Sequence, residues 1–293
     1  MTERPQISRI EAVINTASGG ATPAAADEMQ AILNERGLEA NIHVANGADV
    51  ADLLQTAVDA RPDLLLVLAG DGTARAAAEL VGPEGPLLAP LAGGTMNMLP
   101  HAVYGAVPWG KALADALDHG VEKCIGGGRI DDRSFLVAAI VGALALWAPA
   151  REAVREGKIR LALARMRRAW GRAFSGRLRY AIDSGPPGKA EALTFLCPLA
   201  SKALDDSEQR LEAAVIDARN LAEVARIGFN ALVDDWRKDP AVQALPCREA
   251  RIWAAGRVPA VLDGEPAWLP AKVSVDWRPK LARLLAPPQE HGV

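Results

Sequence analysis

Three short stretches combine glycine with small polar residues: Asn15-Thr16-Ala17-Ser18-Gly19-Gly20, Gly70-Asp71-Gly72-Thr73 and Gly93-Gly94-Thr95-Met96-Asn97. Glycine lets a backbone approach an anion with no Cβ in the way, and the first N–H groups of a helix supply donors and a partial positive charge. Residues of these types suit the phosphates of a nucleotide. Asp71 stands apart, because a carboxylate repels phosphate; it is a candidate indirect magnesium ligand or proton acceptor. Thr95 and Asn97 can donate to phosphate oxygens or cap a helix. The stretch Asn15–Gly20 can form an anion-binding nest. By itself, Gly70–Thr73 also reads as an ordinary Asp-Gly turn.

The surrounding residues predict the elements that must position these groups. Apolar runs at Arg9–Ile14, Leu38–Val44, Asp63–Leu68 and Pro86–Leu91 predict strands. Ala24–Arg36, Asp49–Ala60, Ala74–Leu80 and a pattern reaching His119 predict helices. Alternation of this kind, with apolar runs buried on both faces, implies a parallel sheet covered by helices, hence an α/β domain. Ligands of such sheets bind beyond the carboxyl ends of the strands, where all three glycine-rich stretches fall. After the Gly126–Gly128 run, strand patterns at Phe135–Val141, Leu178–Ile182, Ala192–Cys197, Leu211–Ile216, Ala250–Ala255 and Val273–Trp277 predict a second, mainly antiparallel β domain. The expected boundary lies near residue 120, giving domains 1–120 and 121–293.

Bulk properties narrow the class. The 293 residues are 50% hydrophobic and 24% charged, enough for two domains with cores that need no disulfide or metal staple. A net charge of −3 predicts no general attraction to nucleic acid. Cys124, Cys197 and Cys247 are scattered with no CxxC spacing, which argues for a reducing compartment and against a structural zinc site. Met1–Arg9 lacks the apolar core of a secretory signal. The uncharged run Phe135–Ala150 is shorter than the ~18–20 residues of a spanning helix and reads as a buried strand followed by a loop. A cytoplasmic location is expected. No G-x-x-x-x-G-K-[ST] occurs, and Arg75 stands where a dinucleotide fingerprint wants Gly or Ala. The signatures of protein kinases are missing too.

Far downstream lies Val261-Leu262-Asp263-Gly264-Glu265-Pro266. Taken in order and at these separations, Asn15–Gly20, Gly70–Thr73, Gly94–Asn97 and Asp263–Glu265 resemble the diacylglycerol kinase catalytic family, which includes bacterial lipid kinases and sphingosine and ceramide kinases. The likeness is dense over the first 110 residues and thin from about 140 to 255. It implies a nucleotide-binding α/β domain followed by a β-sandwich, with ATP and magnesium as co-substrates and a lipid hydroxyl as acceptor. Carried over by position, Gly19, Gly20, Gly70, Gly72, Thr73 and Gly94 would hold the phosphates, with Asn15, Ser18, Thr95 and Asn97 around them. Asp263 would be the candidate base and Glu265 its partner near nucleotide or metal; some relatives use the aspartate matching Asp71 instead. No residue is assigned as a structural metal ligand. The chain departs from the family at Ala69, where Gly is usual, at Ala76, where Glu is usual, and at Met98, where Asp is usual. NAD kinases share the Gly-Asp-Gly-Thr loop, but their Asn-x-Glu signature is not found.

Between Arg151 and Arg179 stand ten basic residues and two acidic ones. Within 151–174, Ile159, Leu163, Met166, Trp170 and Phe174 share one helical face, with arginines and lysines on the rest. Such a segment can lie in a lipid headgroup layer, giving peripheral contact with the inner face of a membrane, or pack on the β domain with a solvated charged face.

Overall fold

The structure, a computed structural model, describes residues 5–147, 177–201, 203–204, 208–217, 223 and 236–288. The chain divides into two compact units, residues 1–126 with 279–293, and residues 127–278. The first unit thus extends past the expected boundary near 120 and recovers the C-terminal residues, which the sequence patterns had assigned to the second domain.

In the first unit, β1 (Ile10–Asn15), β2 (Ala40–Ala45), β3 (Leu64–Ala69) and β4 (Leu87–Ala92) form a parallel sheet in the order β2-β1-β3-β4. Every residue of β3 is buried, as expected of a central strand with both faces covered. Helix α1 (Ala25–Asn34) buries Ala25, Met29 and Leu33, spaced four apart on one stripe. These residues join Leu113, Ala116 and Leu117 of α5 (Trp109–His119) against Ile10, Ile14, Leu64, Leu66, Leu68, Leu87 and Leu91. Helices α2 (Val50–Asp59) and α3 (Asp71–Val81) contact β1 and β3 without joining that cluster, and so cover the other face. A short helix, α4 (Met98–Tyr104), follows β4.

The second unit begins within β5 (Val121–Ile130), which turns into β6 (Arg133–Phe135). One of its sheets contains β8 (Leu178–Ile182), β9 (Gly188–Ala190), β13 (Glu249–Trp253) and the first part of β16 (Lys272–Ala286), all antiparallel. The other runs β12-β11-β10-β7-β14-β15, again antiparallel: β7 (Ala138–Gly142), β10 (Ala192–Leu196), β11 (Leu211–Ile216), β12 (Val242–Cys247), β14 (Val258–Leu262) and β15 (Glu265–Leu269). Inward residues of both sheets, among them Phe135, Leu178, Ile252 and Val275 from one and Val141, Phe195, Leu211 and Leu262 from the other, form one buried cluster. This is a β-sandwich.

Three differences from the sequence patterns have local causes. Helix α3 starts at Asp71 rather than Ala74, so Asp71, Gly72 and Thr73 are its first turn and not a loop. The run Phe135–Val141 is not one strand: β6 and β7 lie in different sheets, and Leu136 and Val137 carry the chain across. Strand β16 continues nine residues past the expected Trp277, to Ala286, and its last part lies parallel to β4. The basic segment 151–174 lies outside the described residues.

Candidate active site

In the first unit the loops after β1, β3 and β4 meet, because these strands are neighbours in the sheet and all point the same way. Side chains and glycines lock the loops to one another. Asn15, the last residue of β1, accepts a hydrogen bond from the Ala17 N–H at its Oδ1 (3.1 Å) and donates from Nδ2 to Thr73 Oγ1 (3.4 Å). Ser18 Oγ accepts from the Gly70 N–H (3.1 Å), which leaves the hydroxyl hydrogen to donate elsewhere. The Gly20 N–H donates to the Gly93 carbonyl (3.0 Å).

The close approach explains three glycines without any ligand. A Cβ on Gly94 would stand 2.5 Å from the Gly70 Cα, one on Gly93 2.7 Å from the Ala69 nitrogen, and one on Gly20 2.9 Å from the Gly93 oxygen. Gly19 is needed for another reason, its φ of +81°. Gly70 differs from all of these. Its φ of −80° suits any residue, and a Cβ there would meet nothing nearer than 3.8 Å. Neither backbone conformation nor crowding therefore requires a glycine at position 70, at the start of α3.

That helix start also lacks a side-chain cap. The first N–H groups of a helix have no carbonyl one turn back, so those of Gly72 and Thr73 offer donors at the start of α3. Asn97 is held to its own loop, with one Nδ2 hydrogen left to donate elsewhere. It takes a left-handed conformation (φ 52°, ψ 43°) and folds onto Gly94, accepting from its N–H (2.7 Å) and donating to its carbonyl (2.9 Å). The cap of α4 comes instead from Asp71, whose Oδ1 accepts from the Leu99 N–H (3.2 Å). Asp71 is 7% exposed and so stands between two helix N-termini, whose positive ends favour its negative charge. Thr95 is exposed, Met98 opens α4 and Ala76 lies on the exposed side of α3.

Asp263 and Glu265 belong to the second unit. Leu262 pairs with Glu265, and Asp263 and Gly264 between them both have positive φ (46° and 87°), a two-residue type I′ hairpin turn. The Asp263 carboxylate is 2% exposed and accepts three backbone N–H bonds, from Leu136 (2.7 Å), Val137 (2.9 Å) and Ala138 (2.9 Å). Its own N–H donates to the Ala138 carbonyl (2.9 Å). Stripping one of these buried amides of its partner would cost about 1–3 kcal/mol. Close by, burial and the negative charge of Asp263 push the Cys197 thiol well up, so that cysteine is a packing residue. Glu265 is exposed.

The sequence pointed to the three loops but missed the Asp71–Leu99 cap and the clamp from Asp263 to residues 136–138. No local signal marks either, since the partners are 28 and 125 to 127 positions apart. Among the described residues no three His, Cys, Asp or Glu side chains gather as a metal site.

Comparison with known proteins agrees with this geometry. Residues 9–126 match the family described as the diacylglycerol kinase catalytic domain. Among solved structures, the chain is similar to a diacylglycerol kinase from Bacillus anthracis, with 13% identity and a TM-score of 0.67, covering 97% of this chain and 98% of that one. It is also similar to a proposed diacylglycerol kinase from the same organism, with 15% identity and a TM-score of 0.73 over the same shares of each chain. Identities this low speak to the fold. The match over residues 9–126 covers the stretch that holds all three loops, which is thus similar to the diacylglycerol kinase catalytic domain.

Proposed function

We propose that the protein is an ATP-dependent kinase that transfers the γ-phosphoryl group to the hydroxyl of a lipid-like alcohol. One observation carries the reading: the loops after three parallel strands enclose an uncapped helix N-terminus that opens on Gly70, a glycine which neither φ nor crowding demands. The family match over the same residues supports it.

The residues present fit a nucleotide phosphate chain. N–H groups of Gly72 and Thr73 and the Thr73 hydroxyl would hold phosphate oxygens, and the Gly70 backbone would lie against them. Ser18, Asn15 and Asn97 serve as the frame that keeps the loops in register, through the bonds described above. Magnesium, when bound with ATP, neutralises charge on the phosphates and needs few protein ligands, because it keeps phosphate oxygens and waters around it. Asp71 is the carboxylate we place there, either facing the metal or accepting the proton of the acceptor hydroxyl. Phosphoryl transfer asks little covalent chemistry of a protein; positioning and charge neutralisation suffice. We assign acceptor recognition to the second unit, and contact with a bilayer surface to the basic segment 151–174, from its sequence. Among the described residues no helix is long and apolar enough to cross a membrane.

The test is a labelled-ATP assay with magnesium against micelles of diacylglycerol, monoacylglycerol, sphingoid base, ceramide and phosphatidylglycerol, with soluble alcohols as a further arm. Label is expected in one lipid alcohol and lost when magnesium is chelated. Label only in a soluble alcohol would sink the lipid acceptor. Nucleotide binding with no turnover on any acceptor would sink phosphotransfer, an outcome that Ala76 and Met98 would explain.

A further inference from the structure

Asp263 stands beside Glu265 in a motif that the family resemblance makes catalytic, yet its surroundings describe a different task. The chain leaves one sheet of the sandwich at Phe135 and enters the other at Ala138. Backbone amides in such a crossover have no neighbouring strand to donate to, and buried amides must find an acceptor somewhere. Here the acceptor is one carboxylate: Oδ2 takes the Leu136 N–H and Oδ1 takes those of Val137 and Ala138. A carboxylate offers about four acceptor positions, so at least three are committed within the protein. The turn supplies the geometry. Asp263 is left-handed, a conformation that aspartate tolerates better than most residues, and this places its side chain over the crossover while Gly264 completes the reversal.

The bonds close a ring of contacts. Asp263 N–H donates to Ala138, Cys197 N–H donates to the Val137 carbonyl, and β14 pairs with β7 just beyond, Leu262 opposite Ala139. The crossover, the hairpin turn and β10 are thereby fixed to one another, and Glu265 leaves the turn at a defined point on its exposed side.

We infer that Asp263 is a positioning residue: its carboxylate clamps the 136–138 crossover and so fixes the turn that presents Glu265, and it is not the group that takes the acceptor's proton. The consequence for catalysis rests on the kinase function proposed above; the clamp itself does not.

Asp263→Asn tests it, because the amide keeps the shape but replaces one acceptor oxygen with a donor that faces amide donors. Two readouts are needed in the full chain. Hydrogen exchange at Leu136, Val137 and Ala138 should speed up by ~10-fold or more relative to Ile140 and Val141, since local opening becomes easier. Turnover on the best lipid acceptor should fall, while the acid limb of the kcat/KM profile keeps the wild-type midpoint. Unchanged exchange at 136–138, or an acid limb that disappears, overturns the inference. Should the variant fail to fold, the wild type decides: the three amides must rank among its slow exchangers, and fast exchange there overturns the clamp. A protein with no kinase activity would leave the exchange result standing, so the two failures are distinguishable.

Discussion

Gly70 and Gly94 approach each other across two loops with opposite tolerances. An added Cβ on Gly94 would sit 2.5 Å from backbone, whereas one on Gly70 would make ordinary contacts at 3.8 Å. Gly94→Ala should therefore damage the loops themselves, at a cost typical of overpacking, about 1–3 kcal/mol. Gly70→Ala should leave the unfolding midpoint close to wild type, within about 0.5 kcal/mol, and weaken Mg-ATP binding by ~10-fold or more if phosphate occupies the space beside it. Urea titration and calorimetry on the pair separate the two effects. Wild-type affinity in Gly70→Ala would remove the phosphate from that position. The same residues show what a sequence does not disclose. Glycine for a ligand and glycine for a neighbouring loop look alike in one dimension, and Gly20, Gly93 and Gly94 are of the second kind. Asn97 was legible as a polar group at a helix start, but not as one folded onto Gly94 while Asp71 provides the cap.

At the scale of elements, the parallel sheet was legible because its central strands β3 and β4 are apolar on both faces and its helices carry clean stripes. The sandwich was less so. Strands β12, β14 and β15 contain Pro246, Pro259 and Pro266, which weaken a strand pattern, and Phe135–Val141 looks continuous although it changes sheets. One connection in the first unit gives a pH-dependent test. Asp63, just before β3, accepts from the N–H of Arg9 (2.8 Å) and from the N–H and hydroxyl of Ser8 (2.9 and 2.7 Å), tying the entry of β1 to that of β3. These donors, the Arg9 N–H foremost, hold the Asp63 carboxyl below its ordinary range. A carboxylate depressed by folding stabilises above its unfolded value, near pH 4, and the stabilisation is lost as pH falls through the lower folded value. Asp63→Asn should therefore cost about 0.5–1 kcal/mol at pH 7, modest because the group is near solvent, and progressively less below pH ~4. Unfolding midpoints at pH 7 and pH 3 check it. An equal gap at both would mean that the charge contributes nothing.

At the scale of the whole chain, the family match ends at residue 126, yet the unit it describes does not. Residues 279–293 return to it, and the return is structural rather than incidental. Leu285 is 1% exposed within the cluster formed by α1, α5 and the sheet. The Tyr104 hydroxyl donates to the Leu285 carbonyl (2.7 Å), and burial pushes that phenol well above its ordinary value. Arg283 donates to the Gly85 carbonyl and pairs with Glu122 (3.2 Å). A Cβ on Gly120 would stand 2.3 Å from the Ala116 carbonyl oxygen and 2.8 Å from Leu285 Cδ1, so Leu285 packs against the glycine that ends α5. Removing one buried leucine of this kind typically costs 2–5 kcal/mol, and removing the strand also strands the Tyr104 hydroxyl. Against a typical domain stability of about 5–15 kcal/mol, that loss is large. A chain shortened to residues 1–278 should accordingly lose cooperative unfolding of the first unit and its Mg-ATP binding together. The second unit carries its own reporters: Cys197 and Cys247 are buried, and burial pushes the Cys247 thiol up to about 12, so both should resist alkylation as long as the sandwich is folded. The expected pattern in the shortened chain is lost nucleotide binding with both thiols still protected. Intact nucleotide binding would show that the first unit closes its core without the returning strand, and reactive thiols would show that the sandwich depends on the first unit for its own stability.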